Sequence, residues 1–176
     1  SFKQALHFKE LGLNLHDTMI YHAEKPPLTH NRYEQKFEYM FVFSKGRPKT
    51  FNGLREPSKY AGKSKGMTSF RHDGETLEKA HTPGLVKETK LRGNVWKYNV
   101  GKHSTKDDFA HEHPAIFPEA LATDHILSWS NPNDLVLDPF MGSGTVGKIC
   151  KILGRNFIGI EKEPKYFEIS NKRIAR

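Results

Sequence analysis

Two carboxylates flank a run of small residues in LVLDPFMGSGTVGKICKILGRNFIGIE, residues 135–161: Asp138 ends one apolar run, Gly142, Ser143 and Gly144 follow, and Glu161 ends a second apolar run. Small residues at a strand-to-helix turn let backbone N–H groups approach a ligand closely, so the stretch suits a nucleotide-like cofactor. Three ligand chemistries compete for it. A magnesium-nucleotide loop, G-x-x-x-x-G-K, is matched by Gly142, Gly147 and Lys148, but it needs Ser or Thr where Ile149 stands and a lysine inside the loop rather than along a helix. A dinucleotide turn, G-x-G-x-x-G, is matched in spacing by Gly142, Gly144 and Gly147, with Glu161 the acid ~20 residues on. Against it, Asp138 would face a pyrophosphate carrying two negative charges. S-adenosylmethionine has no phosphate; an aspartate at the strand end accepts from its ammonium, the turn's N–H groups meet its carboxylate, and Glu161 takes both ribose hydroxyls. A structural reading also stands, in which Asp138 caps the turn and the glycines only pack it.

The elements around this stretch are legible from period and punctuation. LVLDPF reads as a buried strand, GTVGKICKILG as a helix stopped by Gly154, NFIGIE as a second buried strand and EPKYFEISNKRIA as an amphipathic helix. Strand, helix, strand, helix in ~40 residues is a βαβ unit and implies a parallel sheet. Upstream, Pro118 and Glu119 open a helix whose apolar face is Leu121, Ile126, Leu127 and Trp129, and NPND is a turn. Near the start, helical spacing covers 1–11, an alternating strand covers 14–22, and FEYMFVFSKG, 37–46, reads as a strand buried on both faces.

From Arg47 to Asp108 the periodicity vanishes, and only 94–101 suggests a short strand; the rest reads as a long loop or insert. The charge sits there too. Residues 45–106 hold 15 Lys or Arg against 5 Asp or Glu, while the remaining residues hold 13 against 15. Clustered cations release counterions from a nucleic-acid backbone, and Tyr60, Phe70, Trp96 and Tyr98 interleave with them as in a DNA-reading surface. A mean hydropathy of -0.69 agrees with a polar excursion from a smaller core. No run of ~18 apolar residues spans a membrane. Cys150, the one cysteine, suits a reducing cytosol and the apolar side of its helix, and His111 with His113 is too few ligands for a metal.

DPFMGSGTVGKICKILGRNFIGIE resembles the cofactor motif of the amino-directed DNA methyltransferases with permuted motif order, the β class. Most members read D-P-F-x-G-S-G-T, and Asp138, Pro139, Phe140, Gly142, Ser143, Gly144 and Thr145 match. HPAIFPEAL resembles the companion motif that packs over the methionine end, which adds His113, Pro114, Ala115 and Pro118 to the implied cofactor set with Glu161. FKQALHFKELGLNLHDTMIYH and RYEQKFEYMFVFSKG are similar to the helix and strands after the catalytic motif. Two departures stand out. No Asp/Ser-Pro-Pro-Tyr motif occurs, since KPPL at 25–28 lacks both the acid or serine and the aromatic ring; and Val146 with Gly147 replaces residues that should affect packing only.

The resemblance implies an α/β, Rossmann-like S-adenosylmethionine-dependent methyltransferase core with a basic target-recognition insert. It divides into part of the catalytic half at 1–46, the insert at 47–110 and the cofactor half at 111–176. The implied reaction methylates N6 of adenine or N4 of cytosine in double-stranded DNA, with base capture supplied from outside these residues. Tyr33, Phe37 and Tyr39 are candidates for a wall of the target-base pocket, or else strand core. Lys59, Lys63, Lys65, Arg71, Arg92 and Lys97 are candidates for DNA contact. A restriction endonuclease partner, a homodimer and a bacterial or phage-encoded cytoplasmic setting follow from the family alone. The alternatives are a cofactor- and DNA-binding module without turnover, and an RNA methyltransferase.

Overall fold

The computed structural model describes residues 2–24, 33–65, 67–72, 76–81, 84–99 and 117–175. They form two compact units, residues 1–52 with 93–176, and residues 53–92.

In the larger unit, helix α1 (Phe2–Glu10) precedes strand β1 (Asn14–Glu24), which pairs antiparallel with β2 (Phe37–Ser44) and parallel with β7 (Val95–Asn99). Gly12, at a φ of 85°, allows the reversal from α1 into β1. One face of β2 carries Phe37, Tyr39, Phe41 and Phe43 at the strand period of two, and α1 lays Phe2 on Tyr39 and Phe8 on Phe43. The continuous apolar run of β2 predicts burial on both faces; the strand is instead exposed along its first half and half-buried along its second. A run of mixed aromatic and aliphatic residues has no period that says how many faces are covered.

The second half of the unit is the βαβ layer: α2 (Glu119–Trp129), β8 (Leu135–Asp138), α3 (Thr145–Leu153), β9 (Asn156–Gly159) and α4 (Pro164–Ala175). Strands β8 and β9 are parallel, with Leu135 opposite Asn156 and Asp138 opposite Gly159. Ala122 and Ile126 of α2 meet Ile149 and Cys150 of α3, and Val136 and Phe157 press on this core from the strands. The NPND turn closes as expected, with Asn133 at a φ of 69° and the Asn131 N–H donating to Asp134 Oδ2 at 2.7 Å. Gly154, at a φ of 69°, ends α3. The expectation that β8 and β9 are buried holds for one face only: Leu135 and Leu137 are 63% and 57% exposed, and Ile158 also faces outward. Val136 and Phe157 meet the helical layer, and the alternate residues point away from it.

The smaller unit carries paired strands where the sequence, read as a long loop or insert, shows no periodicity. Strands β3 (Arg55–Pro57) and β6 (Thr89–Leu91) pair antiparallel, as do β4 (Met67–His72) and β5 (Thr76–His81), and a bridge joins Ser64 to Leu85. Arg55 cross-links the first ladder by donating from Nε to Thr89 Oγ1 and from Nη2 to the Thr89 carbonyl, at 2.9 and 2.7 Å. Strands β3 and β6 are solvated and short, so no apolar alternation marks them; their backbone pairing does. Among the described residues no helix is long and apolar enough to cross a membrane.

Candidate functional site

Asp138 and Glu161 come together at the C-terminal ends of β8 and β9, the edge of a parallel sheet at which ligands bind. Past Asp138 the chain turns through Pro139–Gly144 into α3. Three backbone bonds set the turn: the Ile160 N–H donates to the Asp138 carbonyl, the Met141 N–H to the Ile160 carbonyl and the Gly144 N–H to the Met141 carbonyl, each at 2.9 Å. Gly142 and Gly144 have φ of 52° and 78°, which side chains resist. At Gly144 a Cβ would also stand 2.7 Å from Ser170 Cβ on α4, so this glycine packs the turn against that helix.

The turn and strand ends enclose a cavity of about 540 Å³ lined by Phe117, Leu137, Asp138, Phe140, Met141, Gly142, Ser143, Thr145, Val146 and Glu161. That volume lies within the usual ~300–1,000 Å³ of cofactor and small-molecule sites. Asp138 Oδ1 accepts from the Phe140 N–H at 3.0 Å. Glu161 Oε2 accepts from the Gly142 N–H at 2.8 Å and its Oε1 from the Glu163 N–H at 2.9 Å. Each carboxylate oxygen has a second lone pair, so both acids retain acceptor capacity. Burial raises the Asp138 pKa above the ordinary carboxylate value, the Phe140 N–H opposes that rise, and the Glu161 charge adds to it.

The lining separates the three ligand chemistries. Among the described residues it contains two carboxylates and no Lys or Arg. Lys148, the lysine of a nucleotide-triphosphate loop, instead donates to Glu119 Oε1 at 2.9 Å. A pyrophosphate would enter a field of its own sign, whereas an ammonium or sulfonium gains from Asp138 and hydroxyl donors gain from Glu161. The residues present therefore fit S-adenosylmethionine and do not fit a phosphate ligand.

Of the residues singled out from sequence, Asp138, Phe140, Gly142, Ser143, Thr145 and Glu161 line the cavity, while Pro139 and Gly144 shape its turn without lining it. Pro118 is buried as the N-cap of α2, and Phe117 beside it lines the cavity instead. His113, Pro114 and Ala115, with His111, lie outside the described residues. Phe37 and Tyr39 belong to the aromatic ladder under α1, and Tyr33 is fully exposed; none of them lines the cavity. Lys59 and Lys63 are exposed and sit 5.6 and 5.4 Å from the Tyr60 ring centroid. Lys65 and Arg92 are half-buried, Lys97 is exposed on β7, and Arg71 lies on β4 opposite Leu77.

Trp96 and Tyr98 require correction as parts of a DNA-reading surface. Trp96 is 5% exposed, packs on His125 at 4.8 Å and donates from Nε1 to the Gly93 carbonyl; Tyr98 donates its hydroxyl to Asp124 of α2. Trp96 is a buried core residue of β7, and Tyr98 is half-buried with its hydroxyl held by α2. Sequence reading missed Leu137, Met141 and Val146 in the lining, since apolar residues in a strand, a turn and a helix signal packing, and it missed Arg173, whose position in a helix's last turn reads as surface charge.

A family model for N6/N4 methyltransferases, described as DNA methylase, matches residues 1–172. The chain belongs to the N6/N4 DNA methylase family. This methylase chain is 51% identical over 179 residues to an orphan methyltransferase of Bacillus amyloliquefaciens, M.BamHII, covering 99% of the chain and 67% of that protein. It is 31% identical to the type II methyltransferase M.SmaI of Serratia marcescens over 86% of the chain and 42% of that protein. Among solved structures it resembles the M1.HpyAVI–SAM complex, with a TM-score of 0.59 and 30% identity over 100% of the chain and 72% of that one. It shares a fold with the PvuII cytosine-N4 DNA methyltransferase at a TM-score of 0.68 and 19% identity, over 98% of the chain and 55% of that one. The methylase chain thus spans about two thirds of the length of its relative M.BamHII and less than half that of M.SmaI.

Proposed function

We propose that this chain is the cofactor-holding and target-recognising part of an S-adenosylmethionine-dependent DNA methyltransferase of the permuted, β-class order, acting on N6 of adenine or N4 of cytosine in duplex DNA. The observation that carries the reading is the cavity at the β8 and β9 ends, with two carboxylates and no cation among the described residues of its lining. The cofactor supplies an electrophilic methyl group. Asp138 accepts from its ammonium, Glu161 accepts from its ribose hydroxyls, and Phe117, Leu137, Met141 and Val146 keep water from the apolar parts. The Rossmann-like arrangement of β8, α3 and β9 sets these groups on the ends of rigid elements, where near-attack positioning is most precise. His113, Pro114 and Ala115 complete the cofactor set by their motif.

Residues 47–110 form the recognition insert in this reading, with Lys59, Lys63, Lys65, Arg71 and Arg92 neutralising phosphates and Tyr60 between two of these lysines. Lys97 extends the basic stretch onto β7. The base would be extruded and captured by an Asp/Ser-Pro-Pro-Tyr motif, which is not among these 176 residues. The type II relatives favour a bacterial modification role, with a restriction endonuclease or a second copy as partner.

Calorimetric titration with S-adenosylmethionine, S-adenosylhomocysteine, NAD and ATP in one buffer tests the reading. Binding of the first two alone is expected; binding of ATP or NAD in their place would overturn it.

A further inference from the structure

Arg173, on the last turn of α4, is 1% exposed and stands behind the cavity lining rather than in it. Nη1 donates to the Ser143 carbonyl at 2.9 Å, to Ser143 Oγ at 3.0 Å and to Thr145 Oγ1 at 2.9 Å. Nη2 donates to Glu119 Oε1 at 2.9 Å, the same oxygen that Lys148 meets at 2.9 Å. Ser143 and Thr145 form one wall of the cavity, and Glu119 opens α2 two residues after Phe117, which forms another.

We propose that Arg173 is a positioning residue for the cofactor cavity: its guanidinium ties the Ser143–Thr145 turn to Glu119 and so holds the turn and Phe117 walls in register. The inference rests on the S-adenosylmethionine reading of that cavity. A buried cation is costly to hold, and apolar residues of similar volume often serve stability as well or better. What a charged fork adds is direction. Its planar donors reach the turn and a carboxylate at the same time, along fixed angles that an ammonium on a flexible stem does not reproduce. The turn has two glycines with positive φ and needs such an external tie to keep one geometry.

Binding of S-adenosylhomocysteine to the full chain is measured calorimetrically for the wild type, Arg173→Lys, Glu119→Gln and the double variant. Each is held well below its own melting temperature, with the folded fraction checked by circular dichroism. Arg173→Lys is expected to weaken binding roughly tenfold, Glu119→Gln severalfold, and the double variant no more than Arg173→Lys, because both changes cut one tie. A merely structural role would lower the melting temperature and leave the affinity of the folded chain unchanged. Unchanged affinity in folded Arg173→Lys, or additive losses in the double variant, overturns the inference while the cofactor reading stands. Should Arg173→Lys not fold, Glu119→Gln alone decides, since it leaves the arginine in place; wild-type affinity there overturns the inference. A wild-type chain that ignores S-adenosylhomocysteine overturns the cofactor reading and this inference with it.

Discussion

Asp138 has a fold-imposed cost that its proposed ligand would relieve. Its pKa is raised by burial first and by Glu161 after the opposing Phe140 N–H, so the folded chain binds this proton more tightly than the unfolded one. The stability linked to that proton is fully present below the unfolded pKa and is lost as pH rises through the raised value. Asp138→Asn keeps an oxygen for the Phe140 N–H and should therefore melt no lower than wild type at neutral pH. It should nonetheless weaken S-adenosylmethionine ~10- to 100-fold through loss of a charge-assisted bond, as calorimetry would show. Wild-type affinity should begin to fall, on acidification, at a pH above the ordinary carboxylate range; a titration series from pH 7 downward checks this, and a flat profile in Asp138→Asn confirms the source. Cys150 makes an independent prediction. Fully buried, with burial lifting its pKa to about 11, it should resist thiol reagents at pH 8 until the chain unfolds.

At the scale of elements, the turn into α3 is set by contact with α4. A methyl at Gly144 would meet Ser170 at 2.7 Å on backbone already at positive φ, so Gly144→Ala should cost at least ~1–3 kcal/mol by chemical denaturation. Gly147 lies inside α3, where alanine gains ~1 kcal/mol of helix propensity, but its Cβ would stand 2.5 Å from Ile174 Cδ1 and 2.6 Å from Phe157 Cε1. Gly147→Ala should therefore be net destabilising, and a rise in denaturation midpoint would show that these side chains give way. The motif glycine and the non-motif glycine thus serve the same purpose, close approach of α3 to its neighbours. Helix and strand order in the larger unit was readable because α3, α4 and the strand runs carry their own period and stops. The strand pairs of residues 53–92 were not, because backbone pairing between short polar strands leaves no periodic trace.

At the scale of the whole molecule, the charge is the feature with a measurable consequence. Residues 53–92 hold nine Lys or Arg against five acids, and Lys59 and Lys63 of that unit are exposed around Tyr60. Duplex binding should weaken steeply with salt, with a logarithmic slope of about 0.9 for every phosphate that a cation neutralises. Replacing Lys59 and Lys63 by glutamate should reduce that slope by about 2 and weaken all duplex sequences alike, as fluorescence anisotropy would show. A slope that does not change would assign these lysines to solvation alone.

Sequence by itself determined the βαβ order, the acid at each strand end and the family resemblance, because each is local: a run, a turn residue and a motif within 27 residues. Glycine spacing alone matched three ligand chemistries at Gly142–Gly147; Ile149 and Asp138 already weighed against two of them and toward S-adenosylmethionine. Tertiary structure added to that reading by putting Asp138 and Glu161 in one lining and pairing Lys148 with Glu119. It also moved Trp96 from a supposed DNA surface into the core, tied the half-buried Tyr98 to α2, and turned Leu135, Leu137 and Ile158 outward. It brought Arg173 beneath a turn 30 residues earlier in the chain. The physical reason is the same throughout: side-chain type records what a residue tolerates, and only packing between distant elements decides which neighbour it meets.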